Sequence, residues 1–316
     1  MKVVKQSASV IKGLSPMEHI ERIGRICYKS EDKIAEGTAA KFVNAMYTSK
    51  HHAMLEHYRF IMEVSPVIYE LLERVKHEYF EMTNTEYGGR QRFVISFSAR
   101  GLINLVEDSD CVHHGVMPMA VAGVRDELIA HIIKMYNCHE LFGWDKDKTI
   151  MLSTGAEFIA NSPNVMNKTE WEHHGWRSIH CITDRGISHE LVRHRVCSFA
   201  QESTRYCNYD KDKFGREITV IDQGFEEGSP EYHLWDAVCM MSEVYYASMI
   251  KSGVKPEMAR SILPSCLKTE IIVTANIKEW NHIIDLRVYE ITGKAHPLIK
   301  ELLTPLVEYG VFDYCK

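Results

Sequence analysis

Residues 176–206, WRSIHCITDRGISHELVRHRVCSFAQESTRY, decide how the chain is read. Trp176–Thr183 has the pattern of a strand. Asp184-Arg185-Gly186 then turns it into a short helix expected to end near Arg195. A strand that feeds a helix through a glycine-rich phosphate loop would mark a dinucleotide fold, but no G-x-G-x-x-G, no P-loop and no G-x-S-x-G is present. A Rossmann dehydrogenase, a kinase and an α/β-hydrolase therefore have no support, and any cofactor must be held by side chains.

The flanking elements mix helix and strand without regular alternation. Strands are expected at Lys2–Lys12, His57–Val64, Arg92–Ser98, Glu217–Asp222 and Leu267–Asn276. Helices are expected from Ser15-Pro16-Met17-Glu18 to about Lys29, at Thr38–Ser49, Val67–His77, Val121–Tyr136, Pro230–Ser252, Pro256–Ile262, Lys278–Tyr289 and Pro297–Tyr309. This order favours an α+β fold, a mixed or antiparallel sheet with packed helices. Between Glu107 and about His174 the sequence turns polar and turn-rich. It is expected to be an insertion, at about 107–174, within one domain covering residues 1–316.

Composition narrows the function. The 316 residues carry 37 Lys+Arg against 43 Asp+Glu, a net charge of −6, and 45% are apolar. A nucleic-acid binder would show a basic excess, so the expected partner is a small molecule. Nine cysteines, an odd count with no C-x-x-C spacing, read as reduced thiols. The opening MKVVKQSASVIKG lacks a secretory core and no 18-residue apolar run exists, so a cytoplasmic protein without membrane contact is expected.

The densest polar constellation is Ser188–Tyr206. If the helix continues, Glu190 neighbours Arg193 and His194, while Arg193 and Arg195 leave on opposite sides and could address two anions. If the following segment is extended, Gln201, Ser203 and Arg205 line one face. Two readings are open: a site for a phosphorylated ligand with a polar ring, or a cationic helix end that complements the helix dipole. His189 and His194 are five apart, one too many for a zinc-protease helix, and the pairs His51-His52, His113-His114 and His173-His174 have no third ligand at a recognisable spacing. No metal is expected. His57 and Arg59 share the polar face of their strand, and Arg287 falls on the apolar stripe of its helix, where it must hold a ligand or an ion pair, for instance with Asp285 or Glu290.

The segment RHRVCSFAQES, Arg193–Ser203, resembles the Arg-His-Arg, seven residues, Ser signature of flavin-dependent thymidylate synthases. HAMLEHYRFIMEV (52–64) is similar to that family's N-terminal flavin-contacting segment. MARSILP (258–264), TEIIVTANIKEWNHIIDLR (269–287) and Ala295-His296-Pro297 are similar to its C-terminal half, so about residues 1–65 and 175–310 are covered. The resemblance implies an α+β homotetramer with active sites at subunit interfaces. It also implies methylation of dUMP to dTMP, with methylene-tetrahydrofolate giving the carbon and NADPH-reduced FAD the hydride. By position it implies dUMP contacts at Glu190, Arg193, Gln201, Glu202, Ser203, Arg205, Arg260 and Arg287, with Arg287 stabilising the ionised N3 of uracil as the catalytic residue. It implies FAD contacts at His57, Arg59, Arg193, His194, Arg195, Val196, Asn276, Lys278 and His282. Cys197 and Cys207 receive no catalytic role. Three positions depart from the family pattern: Cys27 stands where Ser is frequent, Arg59 where a small hydroxyl residue is common, and Lys278 in place of Arg. The competing expectation is a nucleotide- or flavin-binding homologue without catalysis.

Overall fold

The computed structural model describes residues 1–73, 80–107, 128–129, 132, 156–205 and 207–314. Its strands are β1 Lys2–Val4, β2 Ser7–Val10, β3 Arg59–Val64, β4 Phe80–Tyr87, β5 Arg90–Ser98, β6 Ala156–Phe158, β7 Trp176–Asp184, β8 Ser198–Gln201, β9 Thr219–Ile221 and β10 Lys268–Asn276. One antiparallel sheet has the order β2-β7-β10-β8 and a second the order β4-β5-β3-β6. A parallel pair, β1 with β9, stands apart. Helices and antiparallel sheets pack as an α+β fold, as expected.

Each sheet owns a buried cluster. The second sheet packs its Phe60, Met62 and Val64 side against helices Pro16–Tyr28 and Thr38–Thr48. In the first helix Ile20, Ile23 and Ile26 are fully buried, and the capping box of Ser15 and Glu18 closes its start. The first sheet packs against helices Arg185–Leu191, Ile277–Arg287 and Pro297–Glu308. A third cluster lies under the long helix Pro230–Lys251.

Several expectations change. The opening strand is two strands, because the chain leaves β9 and crosses to β7 between Val4 and Ser7. His57 closes a 3-10 helix, His52–His57, rather than opening the strand, and Ile61 is as buried as Phe60, so β3 is covered on both faces. Strand β4 was not expected; Gly88 and Gly89, both at positive φ, turn it into β5 as a tight hairpin. Part of the 107–174 tract is built into the core. Asn167 and Glu170 form a capping box that starts helix Lys168–His174, Trp171 is fully buried, and β6 pairs with β3. Of the helix expected at Val121–Tyr136, only Leu128, Ile129 and Ile132 are described; they are helical and buried. His113-His114 and the end of the helix expected at Val67–His77 lie outside the described residues.

Candidate active site

Strand β7 ends at Asp184, whose carboxylate accepts from the Ile187 N–H at 2.7 Å and so caps helix Arg185–Leu191. The carbonyl of Ser265 receives the N–H groups of Arg185 and Gly186, which anchors that helix end to the segment before β10. The helix stops at Leu191, earlier than expected. Arg193 and Arg195 therefore sit on turns, not on opposite helix faces, and both are exposed. Glu190 does not pair with Arg193. Its carboxylate accepts from Arg287 Nη1 at 2.9 Å, a partner 97 residues away. Arg287 is thus ion-paired, but with Glu190 rather than with Asp285 or Glu290; Glu290 pairs with Lys300 at 2.7 Å.

The same guanidinium donates from Nε to His194 Nε2 at 3.4 Å. Burial, then the charges of Arg287 and His282, push the His194 pKa down to about 4. At neutral pH the ring is neutral, and donation to Nε2 requires the tautomer with its proton on Nδ1. His194 Nδ1 lies 3.9 Å from Glu279, and the ring meets His282 edge-on at 6.2 Å. Burial raises the Glu279 pKa, with His282 partly opposing. Glu190 and His194 grip two of the three guanidinium nitrogens, and Nη2 of Arg287 has no hydrogen bond among the described residues.

Two residues back along the helix, Ser188 accepts from Gln201 at 2.9 Å, and Thr269 accepts from the same amide at 3.2 Å. The expected Gln201/Ser203/Arg205 stripe is not a single strand face, because β8 ends at Gln201. Ser203 N–H donates to the Cys27 carbonyl at 3.1 Å, and the Arg205 N–H donates to Ser203 Oγ at 3.3 Å. Arg260 reaches this turn and donates to Thr204 Oγ1 at 3.0 Å.

Glu202 turns inward and does not present its side chain to a ligand. It is 2% exposed, accepts from Lys268 at 3.2 Å and Tyr209 at 3.3 Å, and adjoins Lys29 and Glu270. His57 is fully buried, so the open strand face expected for it does not exist. Its Nδ1 meets Thr274 Oγ1 at 2.8 Å, Thr274 meets Ser178 at 2.6 Å, and Ser178 meets His19 at 3.0 Å. Thr274 and Ser178 are register partners on β10 and β7. Burial first, and then the His19 ring, lower the His57 pKa to about 3; among the described residues its Nε2 has no hydrogen-bond partner, and neither has the buried Nε of Arg59. Asn276 caps helix Ile277–Arg287 through its carbonyl oxygen, and its amide donates to the His173 carbonyl at 3.2 Å. Val196, Lys278 and His282 are exposed at the other end of β8 from Gln201, since Ser198 pairs with Thr274 near the start of helix Ile277–Arg287.

The adjacent histidines diverge: His173 meets Glu81, while His174 meets Ser96 and Thr83. A cavity of about 510 Å³, lined by His19, Tyr58, Trp176 and Ser178 among others, touches none of the residues gripping Arg287. Sequence reasoning missed Thr269 and Glu279; Ser188 and Thr204 lay within the constellation it singled out but were given no individual role. Thr269 carried no distinguishing signal, since it stands between Lys268 and Glu270 at the polar start of β10.

A family model described as thymidylate synthase complementing protein matches residues 125–306, more than half of the chain. The chain belongs to that family. The match begins inside the 107–174 tract. A flavin-dependent thymidylate synthase of Pyrococcus furiosus is 36% identical over 148 residues, covering 42% of this chain and 60% of that protein. One from Thermococcus onnurineus is 36% identical over 106 residues, 34% of this chain and 43% of that protein. The chain thus spans about half the length of these relatives. Across 99% of this chain and 93% of the other, a UMP/dUMP methylase, PolB from Streptomyces cacaoi bound with 5-Br dUMP, is 12% identical with a TM-score of 0.39, a likeness too loose to bear on chemistry.

Proposed function

We propose that the protein is a flavin-dependent thymidylate synthase that methylates dUMP to dTMP. The observation that carries this reading is the grip on Arg287: residues from two distant parts of the family-matched region fix a guanidinium and leave one nitrogen to bind. A fixed cation at uracil N3 favours the N3 anion and raises electron density at C5, the carbon to be methylated. Glu190 and neutral His194 act as positioning residues. They hold the fork in place, so that binding needs little rearrangement. Arg260, Ser203 and Arg205 gather at one turn and suit the phosphate, and Gln201 lines the approach. No thiol is needed as nucleophile; burial and Glu279 push the Cys197 thiol well above its usual range.

FAD, reduced by NADPH, supplies the hydride when bound, and methylene-tetrahydrofolate supplies the carbon. Arg193, Arg195 and Lys278 are exposed, without side-chain partners among the described residues, and fit its diphosphate. His282 stands beside them. His57 and Asn276 have their side chains engaged inside the protein and support this region rather than face it.

The assembly reading is a homotetramer. Helix Pro230–Lys251 buries only Cys239 and Tyr246, while Leu234, Val238, Met241 and Tyr245 recur at heptad spacing and are each more than half exposed. Such a seam suits a second copy of the chain.

The test is tritium release from 5-tritiated dUMP. Release that requires methylene-tetrahydrofolate and NADPH supports the reading. Binding of dUMP and FAD without release supports the non-catalytic homologue.

A further inference from the structure

The third buried cluster holds two thiols that the proposed reaction does not use. Cys239 lies on the inner side of helix Pro230–Lys251, and Cys266 lies just before β10. Their sulfurs are 3.4 Å apart, at van der Waals contact, although 27 residues separate them in sequence. Both are buried, at 1% and 7% exposure. Trp235, one turn before Cys239, donates its indole N–H to the Cys266 sulfur at 3.4 Å. Other described thiols are placed differently: Cys27 faces the Met54 thioether and Cys181 lies in the apolar core.

We propose that Cys239 and Cys266 form a thiol oxidation site, which hydrogen peroxide converts into a reversible disulfide tying the long helix to the segment before β10. The arrangement supplies what the chemistry requires. The attacking species is a thiolate; the Trp235 N–H points at the Cys266 sulfur, and once Cys266 is ionised the touching Cys239 thiol can serve as a second donor, so both stabilise the anion at Cys266. They draw the Cys266 thiol below its ordinary value against the opposing effect of burial, while the same contact and burial push Cys239 up. Cys266 is therefore the attacking sulfur and Cys239 the resolving one.

In the first step the Cys266 sulfur bonds to one peroxide oxygen, the O–O bond breaks, and water leaves with a proton. The product is a sulfenic acid. In the second step the Cys239 sulfur attacks that sulfur, the S–O bond breaks, and a second water leaves with the Cys239 proton. The two thiols give up two electrons, and the peroxide takes them to become two waters. The sulfurs need to close only from 3.4 Å to about 2.05 Å. A thiol reductant reverses the bond by exchange.

The location gives the bond a reach beyond its own cluster. The Ser265 carbonyl, next in sequence, anchors helix Arg185–Leu191, and the Cys266 carbonyl accepts from Ile221. Arg260 leaves the same segment toward Thr204. A cross-link at Cys266 therefore fastens the underside of the phosphate-facing turn to the long helix.

The experiment exposes the full chain to hydrogen peroxide, blocks remaining thiols with an alkylating agent after unfolding, and maps peptides without reduction. Oxidation of the exposed Met258 confirms the dose. The expected result is the Cys239 peptide joined to the Cys266 peptide, undone by dithiothreitol, forming on the order of tenfold or more faster than any change at buried Cys181. In Cys239→Ser the sulfenic acid at Cys266 should persist and be captured by dimedone. Recovery of Cys239 and Cys266 as separate alkylated peptides, at a dose that oxidises Met258, overturns the proposal.

Discussion

Two groups of charges flank the inner strand β10, and they behave in opposite ways. On one side buried Glu202 and part-buried Glu270, Lys29, Lys268 and His180 satisfy one another. His180 and the two lysines hold the Glu270 carboxyl far below its usual range despite burial. On the other side Arg193, Arg195 and Lys278 stand exposed without partners among the described residues, and Arg287 is gripped so as to keep one nitrogen open. The contrast teaches that charge type alone does not mark a site. A charge whose neighbours complete its hydrogen bonds holds the fold, and a charge fixed but incomplete is set to bind.

Breaking the closed group should give the largest effect. Glu202→Ala removes a buried carboxylate and leaves part-buried Lys268 and Lys29 less compensated, and the expected loss is about 3 kcal/mol of stability, read as a lower denaturation midpoint. A loss below about 1 kcal/mol would merge the two groups into one kind. Breaking the open group should show in turnover instead. Arg287→Ala is expected to lower tritium release on the order of 10²-fold, while its part-exposed pair with Glu190 contributes at most about 1 kcal/mol to stability. Near-normal turnover would remove Arg287 from the chemistry.

The buried histidines sharpen the comparison through pH. His57 and His19 are neutral in the fold, with pKa values pushed by burial to about 3 and about 4. An unfolded chain takes up those protons below pH ~6.5, so stability is whole above that value and declines as pH falls toward 4. At pH 5 each histidine should account for about 2 kcal/mol of lost stability. Thermal unfolding between pH 8 and 5 checks this, and a flat midpoint would contradict it. The smallest effect on folding belongs to Lys278→Ala, expected within about 0.5 kcal/mol. It should nevertheless weaken FAD binding by roughly tenfold, as measured by flavin release on dilution.

Much of this was legible in the sequence, and the limits were physical. Strands β7 and β10 and the helix after β10 were readable because their apolar periods are clean and their ends carry Asp184 and Asn276 as caps. Strand β4 was not, since Asn84 and Glu86 fall on the face of Phe80 and Met82 and break its alternation. Arg287 was legible as a charge on an apolar stripe, but its partner Glu190 was not, because nothing local connects residues 97 apart. His57 looked available because alternation put it on the polar face of a strand, and Glu202 because the resemblance placed it among the nucleotide contacts. Their burial depends on Thr274 and Lys268, which only the tertiary fold brings near.

The most direct test is a crystal structure of the protein with dUMP and FAD. The account predicts the uracil ring against Arg287 Nη2, the phosphate at the turn of Ser203, Arg205 and Arg260, and the flavin diphosphate beside Arg193, Arg195 and Lys278. Nucleotide bound in the cavity of His19 and Trp176, with Arg287 still closed on Glu190 and far from it, would contradict the account.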